Sequence, residues 1–105
     1  MNNIIKLCEW YETQCNDEWE HGFGVRISTL DNPGWSLKVD LEGTPLADAT
    51  FEDVKRETSD RNWIVARRSG KAFEAFGGPM NLDEMIGIFL SWAERFIAAD
   101  KSRSP

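Results

Sequence analysis

The chain is poor in the residues that metal sites and disulfides require. Its 105 residues include two cysteines and one histidine, which are too few for a structural zinc site on their own. Cys8 and Cys15 fall on one predicted helix, about 10 Å apart along its axis, which is too far for an undistorted disulfide. We therefore expect two free thiols, no metal and no cofactor.

Long apolar runs are also missing from the sequence. No stretch approaches the roughly 20 apolar residues that a membrane-spanning helix needs. The first six residues, Met1 to Lys6, lack the basic start and the apolar stretch of a signal peptide. We therefore expect a cytoplasmic protein, and its mass of 12.0 kDa fits a single domain over residues 1–105, with a frayed tail at 100–105.

Basic residues are scarce relative to acidic ones. Twelve lysines and arginines face 18 aspartates and glutamates, which gives a net charge of −6 and an isoelectric point near 4.7. Nucleic acids and anionic membranes are bound mainly through Lys and Arg at phosphates, so neither is expected as the main partner. A basic protein partner fits better, although a mildly acidic surface also serves solubility alone.

Residues 23–41 carry the clearest structural pattern, a β-hairpin. Apolar residues alternate with polar ones on both sides of a break, which predicts two strands with one buried face each. The break is Asp31-Asn32-Pro33-Gly34. Pro33 fixes φ near the value for the second turn position, and Gly34 accepts the positive φ that a type II turn requires next.

The remaining elements surround this hairpin. Residues 3–15 predict an amphipathic helix whose apolar positions are Ile4, Leu7, Cys8, Tyr11 and Cys15. Three further strands are predicted: 51–58 with a bulge, 62–68 with apolar residues on both faces, and one through Phe73 and Phe76. Asn81 as N-cap and Glu84 as its capping-box partner open a helix from Leu82 to about Ala99. The predicted fold is α+β, an antiparallel sheet of about five strands flanked by two helices in the order α-β-β-β-β-β-α.

The segment before the hairpin contains residues that a strand does not need. Asp17, Glu18 and Glu20 are carboxylates, and they flank Trp19 and the single histidine, His21. The chain has five tryptophans, of which Trp10, Trp35, Trp63 and Trp92 can be assigned to core faces and Trp19 cannot. An indole among carboxylates is typical of an interface anchor, because aromatic residues dominate binding hot spots and charges steer a basic partner. We predict a contact surface that comprises Asp17, Glu18, Trp19, Glu20 and His21, with Asp60 and Arg61 near it.

Two other functions are compatible with the same residues. Cys15 with His21 as base is a candidate for a small thiol enzyme, because a nucleophilic thiol needs a neighbouring group that makes it a thiolate. A ligand-binding module on the open face of the sheet is the second alternative, and it requires a concave apolar pocket. The glycines at 77 and 78 also resemble a phosphate cradle, but they lack the lysine and spacing of a P-loop, so a simple turn fits them better.

The chain resembles a family of bacterial immunity proteins, immunity protein 53, which accompanies polymorphic toxin systems. The matching pieces are Trp10-Tyr11 with Gln14-Cys15, Trp19-Glu20-His21-Gly22, Leu30-Asp31-Asn32-Pro33-Gly34-Trp35, Gly77-Gly78-Pro79 with Asn81-Leu82, and Phe89-Leu90 with Trp92. The family often has a glycine between Cys15 and Trp19, where this chain has Asn16-Asp17-Glu18.

The resemblance implies a cytosolic antidote that binds a cognate toxin domain and blocks it. It implies no catalytic residue. Many toxin domains of such systems are nucleases with basic clefts, which an acidic protein can occupy by charge complementarity. We expect Asp31, Pro33, Gly34 and Trp35 to serve the fold rather than the contact.

Overall fold

The computed structural model describes the backbone of residues 2–103 and the side chains of residues 2–96. In chain order the elements are α1 (Asn3–Gln14), α2 (Trp19–Gly22), β1 (Val25–Leu30), β2 (Gly34–Asp40), β3 (Val54–Ser59), β4 (Asn62–Ser69), β5 (Ala72–Gly77) and α3 (Leu82–Arg103). The predicted α+β class and element order are confirmed, with the short helix α2 as an addition. The predicted frayed tail, 100–105, falls on residues whose side chains or entire placement lie outside the described part, so it stays a prediction.

The five strands form one antiparallel sheet in the order β1-β2-β5-β4-β3. The last strand in the chain, β5, therefore lies at the centre, and β1 and β3 form the two edges. Successive strands pair through tight turns except where residues 41–53 cross from β2 to the far edge. This arrangement places the start of the predicted hairpin at an edge of the sheet.

Both long helices cover the same face of the sheet. Leu37 and Val39 of β2 and Phe73 of β5 are fully buried beneath Phe89 and Trp92 of α3. The Phe73 and Phe89 ring centroids lie 5.2 Å apart, and Phe89 lies 6.2 Å from Trp92 in an edge-to-face arrangement. Burial of such side chains contributes about 1.5–3 kcal/mol each. This aromatic cluster therefore supplies much of the stability of the helix–sheet contact.

The buried face of α1 differs from the predicted one. Leu7, Trp10 and Gln14 are buried, with a spacing of three and four residues. Ile4 and Tyr11, which were predicted to be buried, are exposed, and so is Cys8. The apolar arc of α1 is wider than the part that the core covers, and one side of it is left in contact with solvent.

Gly34 is required for a different reason from the one predicted. The only glycines with positive φ in the described residues are Gly43 and Gly70, so Gly34 does not occupy the positive-φ position of a type II turn. Instead Gly34 is already in β2, and a Cβ on it would lie 2.3 Å from the carbonyl oxygen of Gly77 on β5. The predicted hairpin is correct, but close approach of a neighbouring strand sets the need for glycine there.

The start of α3 is correctly predicted, but its capping box is not found. The Asn81 side chain accepts a hydrogen bond from the Trp63 backbone N–H and donates to Asn62, so it ties the helix to β4. The Glu84 carboxylate pairs with Arg56 of β3, and the Asn81 backbone N–H, which a capping box would direct to Glu84, donates to the Gly78 carbonyl oxygen. Both side chains of the predicted box therefore hold the helix start against the sheet.

Trp63 lies on the open face of the sheet rather than in the core. Its neighbours Ile64 and Ala66 are buried beneath the helices, and Trp63 and Val65 are half-buried on the other side. The predicted two-faced apolar pattern of β4 is present, but no helix covers its second face. In β3 the register shifts between Glu57 and Ser59, which confirms the predicted bulge.

Candidate functional site

The acidic segment before the hairpin is an ordered turn with two reciprocal caps. The Asn16 side chain accepts hydrogen bonds from the backbone N–H groups of Glu18 and Trp19, at 3.0 and 2.9 Å. The Glu20 carboxylate accepts from the backbone N–H groups of Asn16 and Asp17, each at 2.9 Å. Backbone hydrogen bonds, first that of Glu20 itself and then those of Asn16 and Asp17, lower the Glu20 pKa. Glu20 therefore shapes the turn from within.

Asp17 adopts a backbone conformation that favours glycine. Its φ is 75°, the only positive value among the described residues other than glycine. Aspartate tolerates this left-handed region better than most residues, but at some cost relative to glycine. The position coincides with the loop in which the resembled family often has a glycine. Asp17 therefore places a carboxylate at a backbone position that favours glycine.

Trp19 is a core residue, and the prediction of an exposed anchor is wrong. The side chain is 4% exposed, and its indole N–H donates to the Glu42 carbonyl oxygen at 2.8 Å. The ring packs edge-on against Trp10, with centroids 6.2 Å apart, and stacks on Phe23 at the same distance. Gly43, with φ +79°, lies against the indole where a Cβ would come within 3.2 Å. The turn that carries the carboxylates is thus anchored by an aromatic cluster of Trp19, Trp10 and Phe23, in which both tryptophans are buried.

Asp60 and Arg61 do not lie near this turn. They join β3 to β4, and Gly78 packs against the Arg61 carbonyl, at the end of the sheet where Leu30 pairs with Gly34. The acidic turn precedes Val25, at the opposite end of β1. Strands of six residues are about 20 Å long, so the predicted contact surface separates into two regions.

The exposed groups around the acidic turn carry a strong negative charge. Asp17, Glu18 and His21 are exposed on the turn, and Glu9 and Glu12 are exposed on α1. Residues 2–22 contain five carboxylates and one lysine, Lys6. Lys6 lies 3.7 Å from Glu94 of α3, so its charge is already partnered by a carboxylate. The exposed carboxylates of α1 and of the turn, Glu9, Glu12, Asp17 and Glu18, are called the acidic surface below.

The arrangement does not bring Cys15 and His21 together as a reactive pair. The Cys15 thiol donates to the Tyr11 carbonyl oxygen at 3.4 Å, one turn back in α1. His21 is exposed on α2, and no hydrogen bond joins its ring to the thiol in the described part of the chain. Both cysteines are free, as predicted. Among the side chains that the structure describes, those of residues 2–96, there is no cluster of three or more His, Cys, Asp or Glu suited to a metal ion.

An apolar trough between α1 and β1 borders the acidic surface, and sequence reasoning missed it. It has a volume of about 330 Å³ and is lined by Leu7, Cys8, Tyr11, Phe23, Gly24 and Val25. Tyr11 is 40% exposed and Phe23 37%. The signal was present in the sequence, because Ile4, Cys8 and Tyr11 form one helical stripe and Leu7 and Trp10 another. One apolar stripe is enough for a helix to pack against the core, so the second stripe indicated a further apolar surface.

A larger groove runs between α3 and the segment before β3. It encloses about 930 Å³, with Phe51, Val54, Ile88 and Phe96 among its apolar lining. Its lining carries charges of both signs, because Lys6 and Arg95 lie there with Glu52, Glu84 and Glu94, and Lys6 pairs with Glu94. The groove is therefore of mixed charge, in contrast to the acidic surface.

The open face of the sheet is filled at its centre by its own side chains. The Arg67 guanidinium lies 5.6 Å from the centroid of the Phe76 ring, a cation–π distance, and 3.3 Å from the Glu74 carboxylate. Val65 pairs with Phe76 across the neighbouring strands on the same face. These contacts do not provide the concave pocket that a ligand-binding module on this face requires.

A family model described as immunity protein 53 matches residues 4–94 of the chain. The chain belongs to the immunity protein 53 family. The resemblance expected from the sequence is therefore confirmed, and family membership assigns the chain an immunity role and implies a toxin as partner in general terms. No curated protein and no solved structure matches the chain. No helix in residues 2–103 is long and apolar enough to cross a membrane.

Several residues that carry the resemblance to immunity protein 53 have structural positions. Trp10, Trp19 and Trp92 are buried. Gly34 allows β2 to approach β5 closely, and Gly77 leaves room for the Met85 side chain of α3, whose sulfur would lie 2.7 Å from a Cβ there. Such contacts serve the fold of an immunity protein, whatever toxin it meets. The exposed acidic surface and the trough are instead available to a partner.

Proposed function

We propose that this member of the immunity protein 53 family binds a cognate bacterial toxin domain and neutralises it without catalysing a reaction. The observation that carries the proposal is the family match over residues 4–94. The partner is a basic toxin domain in the cytoplasm, and neither nucleic acid nor membrane is the target. Binding blocks the toxin by covering the site through which it reaches its own substrate.

The acidic surface supports a basic partner. Asp17, Glu18 and His21 are exposed on a turn whose shape is fixed by the Glu20 carboxylate and by the buried Trp19. A surface of one charge speeds the encounter with a partner of opposite charge and disfavours other partners. We therefore assign Asp17, Glu18 and His21 to the contact, and Trp19 and Glu20 to the support of that turn.

Neutralisation is tested with the toxin encoded by the gene next to this one. Coexpression of the two proteins should restore growth, and an equimolar mixture should abolish the toxic activity in vitro. An active toxin in the presence of excess immunity protein, with no complex on size exclusion, would reject the proposal.

The contact is tested by a matched pair of double variants. Asp17→Asn with Glu18→Gln removes two charges from the acidic surface. Asp31→Asn with Asp60→Asn removes two from exposed residues at the other end of the sheet. We expect the first pair to slow association about tenfold at low ionic strength and the second to change it less than about twofold. Equal effects of the two pairs would contradict the assignment.

A further inference from the structure

The trough between α1 and β1 has two parallel apolar rows. Cys8 and Tyr11 line it on the helix side, and Phe23 and Val25 line it on the strand side. Ile4 of α1 and Ile27 of β1 extend these two rows in sequence, at helical and strand spacing, beyond the residues that line the trough. Each row is about 10–13 Å long, from the rise per residue of helix and strand. Ile4, Tyr11, Phe23 and Ile27 are all more than a third exposed. The trough is therefore an open apolar groove rather than part of the core.

The trough is lined in part by Val25 of β1, and β1 is an edge strand of the sheet. The Asp40 N–H donates to the Gly24 carbonyl oxygen, which fixes the alternation of the β1–β2 ladder. Hydrogen-bonding groups of alternate residues point to opposite sides of a strand, so the N–H and C=O groups of Val25, Ile27 and Thr29 face away from β2. Among the described residues, no backbone hydrogen bond outside the strand ladders involves these groups, and no strand lies on this side of β1.

The two edges of the sheet are built differently. β3, the other edge, carries Lys55, Arg56 and Glu57 in succession and a register shift after them. Charged side chains and bulges of this kind are the usual protection of an edge against further pairing. β1 has a regular register over six pairs, and Arg26 is its only charged residue. The sheet is thus protected at one edge and open at the other.

The charge around the trough favours a basic segment over a second copy of this chain as its binding partner. Residues 2–22, which form its helical wall and the adjoining turn, contain five carboxylates and one lysine. Antiparallel pairing of β1 with β1 of a second copy would bring two such walls close to each other, and like charges repel at that distance. A basic segment meets the same wall with favourable charge.

We propose that the edge of β1 and the trough form the docking site for one extended segment of the toxin, which adds to the sheet as a sixth strand next to β1. Its alternate residues are apolar and enter the trough between Tyr11 and Phe23, and its basic residues face Glu12 and the acidic turn. Main-chain hydrogen bonds to β1 supply affinity, and the side-chain pockets supply specificity. The inference rests on the proposed function and deepens it, because it specifies which element of the toxin is bound and how.

The test compares two substitutions at Ile27. Ile27→Ala removes the exposed side chain and keeps the backbone N–H. Ile27→Pro removes the N–H as well, at an edge position where proline is tolerated because that N–H faces solvent. With the purified toxin domain from the adjacent gene as probe, we expect Ile27→Pro to bind at least about tenfold more weakly than Ile27→Ala, the effect of one lost main-chain hydrogen bond and a blocked edge.

Two lysine variants test the blocked edge through charge. Ile27→Lys places on β1 the kind of residue that protects natural edges. Met80→Lys is the matched control, because Met80 is 83% exposed, lies outside both β1 and the trough, and takes the same charge change. We expect a loss of toxin affinity of about tenfold or more for Ile27→Lys and less than about twofold for Met80→Lys. Equal affinities of the two lysine variants would overturn the docking site.

Amide hydrogen exchange on the unsubstituted protein makes the inference independent of how the variants fold. In the complex the amides of Val25, Ile27 and Thr29 should exchange at least about tenfold more slowly than in the free protein. Toxin binding without this protection overturns the docking site and leaves the proposed function intact, whereas no toxin binding at all rejects both. A dimer of the protein alone that Ile27→Pro abolishes would assign the edge to a second copy and overturn the inference.

Discussion

Gly34 gives the sharpest test of how the sheet is packed. A Cβ on Gly34 would lie 2.3 Å from the Gly77 carbonyl oxygen and 3.4 Å from its carbonyl carbon. Backbone atoms cannot rotate away as a side chain can. Gly77 also pairs with Trp35 of β2 and with Ile64 of β4. Gly34→Ala therefore requires a displacement where three strands meet.

The expected loss follows from that displacement. Overpacking of a well-packed site costs about 1–3 kcal/mol, and each ladder hydrogen bond that is stretched or lost adds about 1 kcal/mol. We expect Gly34→Ala to lower the free energy of unfolding by about 3 kcal/mol, and Gly34→Val by more. In a domain of this size each kcal/mol corresponds to roughly 4–8 °C, so Tm should fall by about 12–24 °C.

The assay is thermal and urea unfolding followed by circular dichroism, with Gly24→Ala as control. Gly24 lies at the other end of the same hairpin, and a Cβ on it would meet nothing within 4 Å. Its variant should change the free energy of unfolding by less than about 0.5 kcal/mol. If Gly34→Ala unfolded within about 2 °C of Gly24→Ala, the close approach of β2 and β5 would not govern this position.

Three further predictions concern the acidic turn. Trp19→Phe should lower the free energy of unfolding, measured in urea, by about 1–3 kcal/mol, because the Glu42 carbonyl loses its indole partner. A change under about 0.3 kcal/mol would contradict the buried position of the Trp19 indole. The pKa of Glu20 is lowered in the folded state, so its ionised form stabilises the turn at pH values above the ordinary glutamate pKa, and this contribution is lost as pH falls through the folded pKa. Glu20→Gln should therefore lower Tm at pH 7 and converge with the unsubstituted protein in acid, and parallel Tm profiles would contradict this. Asp17→Gly should raise the free energy of unfolding by up to about 1 kcal/mol, because glycine adopts the positive φ of this position without strain. The same variant should weaken toxin binding, because a carboxylate of the acidic surface is lost. A less stable variant would contradict the strain argument.

The hairpin could be predicted from local sequence because its determinants are local. Alternation at period two sets which face of β1 and β2 is buried, and Asp31 to Gly34 break the pattern. The reason for Gly34 could not be found in the same way. Gly77 belongs to a strand far along the chain, and the central position of β5 depends on the strand order, which the hairpin pattern does not encode.

The candidate site was predicted in part, and the errors have one physical origin. Composition and spacing identified the acidic turn and its carboxylates, which are exposed at Asp17 and Glu18. They could not show that Trp19 turns inward, because its indole partner is the carbonyl of Glu42, on the connection that leaves β2. Nor could they show which part of the apolar arc of α1 is covered. Both answers depend on the placement of α1 over the sheet.

The burial of Trp19 changes how the acidic turn can act in binding. An exposed indole would contribute contact area of its own, whereas a buried one fixes the backbone that presents Asp17 and Glu18. Together with the Glu20 carboxylate it orders the turn before any partner arrives. Ordering a side chain or loop on binding costs about 0.5–1.5 kcal/mol per flexible side chain, and a pre-ordered turn avoids part of that cost. Loss of Trp19 should therefore weaken toxin binding through loosening of the turn, and Asp17→Asn with Glu18→Gln should weaken it with the turn intact.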